Sequence, residues 1–241
     1  MAIEIEVLDD PARACAAMLV GASAGHGHVV LTGGSTPGAA YAAFADAIRA
    51  VGVDVSDTTF WFSDERCVAP DDERSNYRLV KQALLDRLGD QRQPAIRRIK
   101  GELGSEAGAE DYERELREAD PRRFELILLG IGPDGHIASL FPDQSGLSEP
   151  SRLAIGVPEA GLEPYVPRVS LTLPALALGR RVVVLATGES KAKAVAAAFG
   201  RYSQPDPHVP ASLLGGHVTE LTVLLDRAAA QLLARDAGGA S

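Results

Sequence analysis

Asp134 and His136 lie two positions apart in the run Gly130-Ile131-Gly132-Pro133-Asp134-Gly135-His136, and an imidazole beside a carboxylate is a pairing that moves protons near neutral pH. The residues before them, Phe124 to Ile131, read as a buried strand that stops at a glycine-rich turn. In an open α/β sheet, ligands bind at the carboxyl ends of the strands. His136 is therefore the candidate general base and Asp134 the group that orients it. His26, His28, His208 and His217 do not follow a glycine turn at the end of an apolar strand, and none is spaced from another as metal ligands are. Neither a metal nor a cofactor is expected.

An anion cradle is legible earlier, in Thr32-Gly33-Gly34-Ser35-Thr36-Pro37-Gly38. Thr36 is placed as a helix N-cap and Pro37 as the first helical residue. Gly33 and Gly34 let the backbone approach a phosphate, while amides at the helix start and the hydroxyls of Ser35 and Thr36 suit its oxygens. The competing reading is an ordinary capped turn. The loop lacks the Gly-Lys-Ser/Thr ending of a nucleotide P-loop, and Pro37 stands where a nucleophile elbow needs glycine, so Ser35 is a poor nucleophile.

Cations recur at other strand ends. In Ser63-Asp64-Glu65-Arg66 the planar fork of Arg66 suits phosphate, although pairing with Asp64 or Glu65 is an equal alternative. Asp64 is placed with Arg66 among the substrate-binding residues, and Ser75 reads as the cap of the next helix. Lys191, after Thr187-Gly188-Glu189-Ser190, falls in the first turn of a helix, where the macrodipole disfavours a cation unless an anion is shared with the amides. Arg168 stands just before the apolar segment Val169-Ser170-Leu171 and reads the same way.

The elements that must position these groups alternate. His28 to Leu31, Thr59 to Phe62, Phe124 to Leu129, Val182 to Ala186 and Leu221 to Leu225 are strand-like. Pro37 to Ala50, Ser75 to Leu88, Ser105 to Ala119, Lys191 to Phe199 and Asp226 to Arg235 are helical patterns between and after them. That order predicts an α/β fold, a Rossmann-like, doubly wound, mainly parallel sheet flanked by helices. Residues 1–241 read as a single domain, with an irregular proline- and glycine-bearing excursion at about 142–174. The end from Ala237 to Ser241 is small and polar enough to fray.

A formal net charge of −9 argues against a nucleic-acid surface and against an anionic membrane, so an anionic substrate needs a local cluster of donors. Cys15 and Cys67 are the only cysteines and lack metal-type spacing, which favours a reducing cytoplasm. No leader-like start follows Met1, and no run approaches the roughly 18 apolar residues of a membrane helix. Oligomeric state is not legible.

Together, Leu31-Thr-Gly-Gly-Ser-Thr-Pro, Trp61-Phe-Ser-Asp-Glu-Arg, Gly130-Ile-Gly-Pro-Asp-Gly-His-Ile-Ala-Ser-Leu-Phe-Pro142, Arg168-Val-Ser-Leu-Thr and Gly188-Glu-Ser-Lys resemble the 6-phosphogluconolactonases, in family order over most of the chain. The resemblance implies the fold shared with glucosamine-6-phosphate deaminases and hydrolysis of 6-phosphoglucono-δ-lactone to 6-phosphogluconate in the oxidative pentose phosphate pathway. The deaminases are the runner-up. They usually continue from Asp-Gly-His through Ile-Ala-Phe-Asn to a proton-transferring Glu, where this chain has Ser139-Leu140-Phe141, and they commonly carry Asp-Glu-Tyr where it has Asp64-Glu65-Arg66. A non-enzymatic sugar-phosphate sensor is a further rival, but the helix-turn-helix that would favour it is not found. A nucleotide-binding Rossmann protein fits poorly, because G-x-G-x-x-G is only partly matched at Gly130-Ile131-Gly132.

Overall fold

A computed structural model describes residues 3–25, 27–89, 93–120 and 123–233. His26, residues 234–235 and the tail from Ala237 lie outside the described residues, within which the helix expected over Asp226 to Arg235 spans only Arg227–Ala230.

Short apolar runs become strands buried on both faces through the middle of the sheet, while its two edge strands are largely exposed. β1 (Ile3–Val7), β2 (His28–Leu31), β3 (Thr59–Phe62), β5 (Ala95–Ile96), β6 (Leu126–Leu129), β9 (Val182–Ala186) and β10 (Leu221–Leu225) form one seven-stranded sheet in the order β1-β10-β9-β6-β2-β3-β5. Every neighbouring pair in it is parallel. β4 (Asp64–Arg66), β7 (Ala154–Val157) and β8 (Arg168–Leu171) make a second, antiparallel sheet in the order β4-β8-β7. The helices are α1 (Pro11–Ser23), α2 (Ser35–Val51), α3 (Asn76–Ala83), α4 (Ser105–Ala119), α5 (Leu173–Leu176), α6 (Ala192–Phe199), α7 (Leu214–His217) and α8 (Arg227–Ala230). α1 packs on α2, β2, β9 and β10, whereas α4 covers β7 and β8 of the small sheet. One buried apolar cluster joins the two sheets, running from Leu128 and Val184 to Val157 and Val169.

The winding decides where a ligand can sit. From β2 the chain moves outward to β3 and β5, then returns past β2 to β6 and moves the other way to β9 and β10. The connections leaving β2 and β6 therefore diverge, and a crevice opens between these neighbours at their carboxyl ends.

Three expectations are corrected. The excursion at 142–174 is not irregular throughout: it holds a 3-10 turn at Ser145–Ser148, then β7 and β8, and the start of α5. Those strands are only four residues long and their antiparallel partners are remote or proline-separated, so no local periodicity marks them. The helix expected from Ser75 to Leu88 ends at Ala83 and gives way to a 3-10 turn at Leu85–Arg87. Thr36 is not the cap of α2. Gly34 is, at φ 101°, a backbone open to glycine and closed to most side chains, so the helix starts one residue before Thr36.

Candidate active site

Residues on or just after five strands converge on one cleft. It is lined by Thr32 to Pro37 after β2, Asp64 and Arg66 of β4, Gly130 to Pro133, His136 and Ala138 after β6, Arg168 of β8, and Leu185, Ala186 and Lys191 at the end of β9 and beyond it. Every candidate catalytic or substrate-binding residue from the sequence lines it except Asp134, which touches His136 directly.

His136 Nδ1 is 2.6 Å from Asp134 Oδ1, and the His136 backbone N–H donates to the same oxygen at 3.2 Å. A carboxylate accepts only, so the pairing assigns the ring proton to Nδ1 and leaves Nε2 as the basic nitrogen. Burial works against the charged form of Asp134, yet the hydrogen bonds and charge of His136 outweigh it and hold the carboxyl below its usual range. Gly132 makes the room: a Cβ there would overlap the imidazole and the Asp134 carboxylate. Phe141 packs against His136, ring centroids 4.7 Å apart, and the Arg168 guanidinium carbon lies 5.3 Å from the centroid of the same phenyl ring.

The start of α2 lines the same cleft as the histidine. The first N–H groups of a helix have no intrahelical partner, and Ser35 and Thr36 present theirs in this turn, while Pro37 has none. The Thr36 hydroxyl is 2.8 Å from that of Thr187, which ties the β2 and β9 loops together. Lys191 ends a 3-10 turn at Glu189–Lys191 immediately before α6. Burial lowers its pKa, with Asp134 opposing, and among the described residues its ammonium has no hydrogen-bond or ion-pair partner.

The two arginines meet through the small sheet, where Arg66 and Arg168 are register partners. Arg168 is 2% exposed, and its Nη2 donates to the carbonyls of Leu162 and Pro164 at 2.9 and 3.0 Å. Arg66 Nη1 donates to Arg74 O at 2.6 Å. The Nε atoms of both are buried without a partner, which marks two donors still unused beside the cleft. Burial is the largest influence on Arg168 and lowers its pKa, Arg66 adds to that, and Asp64 opposes it.

The adjacent acids divide the work. Glu65 accepts from the backbone N–H of Arg66, Asn76 and Tyr77 at 2.7, 2.7 and 2.8 Å and from the Ser75 hydroxyl at 3.0 Å, so it secures the start of α3 and pairs with no guanidinium. Ser75 is the cap of that helix, its hydroxyl accepting from Arg78 N–H at 3.2 Å. Asp64 faces the cleft instead. Its Oδ1 accepts from Ser63 Oγ at 3.0 Å and Asn76 Nδ2 at 3.2 Å, and its Oδ2 from Ser139 Oγ at 2.7 Å. Asn76, Leu162 and Glu163 also line the cleft and were not anticipated. A buried asparagine opening a helix beside a capping serine was a readable signal for the first. The other two sit in the excursion, which offered none.

Comparison with known proteins bears on the family and the fold. The chain matches the family described as glucosamine-6-phosphate isomerases/6-phosphogluconolactonase over residues 5–223. A 6-phosphogluconolactonase of Streptomyces coelicolor is 39% identical over 222 residues, covering 88% of this chain and 84% of its own length. The crystal structure of 6-phosphogluconolactonase from Leishmania guyanensis superimposes with a TM-score of 0.81 at 25% identity, covering 100% of both chains. A monomeric glucosamine-6-phosphate deaminase matches with a TM-score of 0.82 over 96% of this chain and 100% of its own, but at 20% identity it speaks for the fold alone. The chain belongs to the glucosamine-6-phosphate isomerase/6-phosphogluconolactonase family.

Proposed function

We propose that the protein hydrolyses 6-phosphoglucono-δ-lactone to 6-phosphogluconate. The observation that carries this reading is an imidazole whose Nδ1 is fixed on Asp134 in the same cleft as the α2 N-terminus, Lys191 and Arg168. The amides and hydroxyls of Gly33 to Thr36, with Lys191 and Arg168, hold the phosphate, and Arg66 adds positive charge beside them. Asp64, its carboxylate fixed by three side chains, accepts from sugar hydroxyls.

With the phosphate held, the lactone carbonyl faces His136. Nε2 of the neutral imidazole takes a proton from water as the water oxygen bonds to the carbonyl carbon. The imidazolium, stabilised by Asp134, returns that proton to the ring oxygen as the bond from the carbonyl carbon to that oxygen breaks. The developing oxyanion lies among glycine-turn amides and basic side chains, which stabilise it. General-base assistance of this kind contributes roughly 10²–10⁴-fold, enough for an ester that already opens in water. The apolar ring of Phe141 against His136 offers no second proton carrier, which disfavours the deaminase reading.

Cys15 is buried and Cys67 partly so, both unpaired, and among the described residues no helix is long and apolar enough to cross a membrane, in keeping with a cytoplasmic reaction. The test is a rapid assay of freshly generated lactone, corrected for spontaneous opening, with glucosamine 6-phosphate run in parallel for ammonia release. Lactone opening without ammonia is expected. Ammonia release, or a lactone rate equal to the spontaneous one, overturns the proposal.

A further inference from the structure

Ser139 follows His136 by three residues, does not line the cleft, and takes no part in the proton transfers above, where it serves only as one of three side chains that fix Asp64. It is nonetheless 1% exposed, and both of its donors are used on the small sheet. Its backbone N–H donates to Ser170 Oγ at 3.0 Å and its hydroxyl to Asp64 Oδ2 at 2.7 Å. Asp64 and Ser170 are themselves register partners across β4 and β8, so Ser139 docks on a single rung of that ladder. The next rung on the same face, two residues along each strand and about 7 Å away, is Arg66 with Arg168.

The turn that carries Ser139 needs such an anchor. Ala138, which lines the cleft, has φ 49°, a left-handed backbone that side-chain-bearing residues seldom adopt, and Leu140 N–H closes the turn on Ile137 O at 2.9 Å. Unfavourable backbone persists where the surroundings over-determine it. Here the acceptor is itself immobilised, since the other oxygen of Asp64 holds Ser63 and Asn76.

We infer that Ser139 is a positioning residue for the hydrolysis: by docking the histidine loop on the Asp64–Ser170 rung, it fixes the separation between His136 and the Arg66–Arg168 pair one rung away. The inference deepens the lactonase reading and rests on it. A phosphosugar has a fixed length, so a base that slips by on the order of 1 Å relative to the cations loses about 10²-fold in rate without loss of the charges that bind.

Ser139→Ala removes the bond to Asp64 and leaves the one to Ser170. Turnover of the lactone is expected to fall about 10- to 100-fold, while the Kd for 6-phosphogluconate, read by calorimetry, changes less than about threefold. Ser139→Thr keeps the hydroxyl and is expected to recover turnover to within about fivefold of wild type. Wild-type turnover in Ser139→Ala, a loss carried by Kd instead, or no recovery in Ser139→Thr overturns the inference. If the alanine variant does not fold, Ser170→Ala removes the other acceptor and is expected to give the same split. A wild-type protein that opens no lactone rejects the activity without deciding the role of Ser139. That role is then read from a crystal structure of Ser139→Ala, in which the Ile137–Leu140 turn has left the ladder if the inference holds and remains on it if not.

Discussion

A single methyl group at Gly132 tests the proton-transfer geometry more sharply than deletion of the histidine. In Gly132→Ala the new Cβ overlaps the Nδ1 and Cε1 edge of His136 and the Asp134 oxygen that holds it. The adjacent Asp134–His136 contact is already at 2.6 Å and Phe141 packs on the same ring, so the imidazole has to retreat by on the order of 1 Å. Misplacement on that scale costs about 10²-fold in turnover, close to the lower end of the roughly 10²–10⁴-fold expected for His136→Ala. The phosphate cradle is untouched, so the Kd for 6-phosphogluconate should stay within about threefold of wild type, because no binding contact is lost. Because both substitutions act on one group, their effects should not add: Gly132→Ala in a His136→Ala background should cost nothing further. Stopped-flow turnover of all four proteins provides the cycle. Wild-type turnover in Gly132→Ala, or additive losses in the double variant, would refute the assignment of His136 as the base.

Other outcomes follow from neighbouring residues. Lys191→Met should weaken 6-phosphogluconate binding about 10- to 100-fold by calorimetry, the equivalent of one charge-assisted hydrogen bond, and unchanged affinity would remove Lys191 from the phosphate site. Glu65→Ala should destabilise the fold by about 2 kcal/mol or more in urea, since it strips the start of α3 of its acceptor; a loss under about 0.5 kcal/mol would contradict that role. His28 Nδ1 accepts from the indole N–H of Trp61, the only tryptophan, at 2.9 Å, and burial first, then Arg97, lowers its pKa from 6.5. The folded state thus prefers neutral His28: its contribution to stability is present above pH 6.5 and is lost as pH falls through the lowered value. Trp61 fluorescence should inflect below pH 6.5, and an inflection at or above it would count against the bond.

The sheet was legible where burial on both faces leaves an unbroken apolar run, as in Leu126–Leu129 and Val182–Ala186. β1 was not, because Ile-Glu-Ile-Glu-Val alternates on an exposed edge and carries no such run. α1 went unread although its start was written plainly: Asp10 caps Arg13 N–H at 2.9 Å and Pro11 opens the helix. The small sheet was out of reach in principle, since Asp64–Arg66 pairs with residues about a hundred positions later and no local pattern announces it. That pairing places the two arginines side by side, so the residue types in the site were readable and their adjacency was not. The start of α2 was misplaced because a serine-threonine pair resembles a cap, whereas Gly34 had the conformational freedom to begin the helix sooner.

The diverging connections at β2 and β6 make the crevice a seam between the front and rear portions of the chain. Gly33 to Thr36, Asp64 and Arg66 come from before it, and Asp134, His136, Arg168 and Lys191 from after it. Directly along the seam the backbone ladder is short, Val29 with Leu126 and Val30 with Ile127, helped by the Thr36–Thr187 hydroxyl contact. A phosphosugar lying there stitches the two portions together. Substrate or product at a hundred times its Kd adds about 2.7 kcal/mol against unfolding, so occupancy of the pathway sets how durable the folded molecule is.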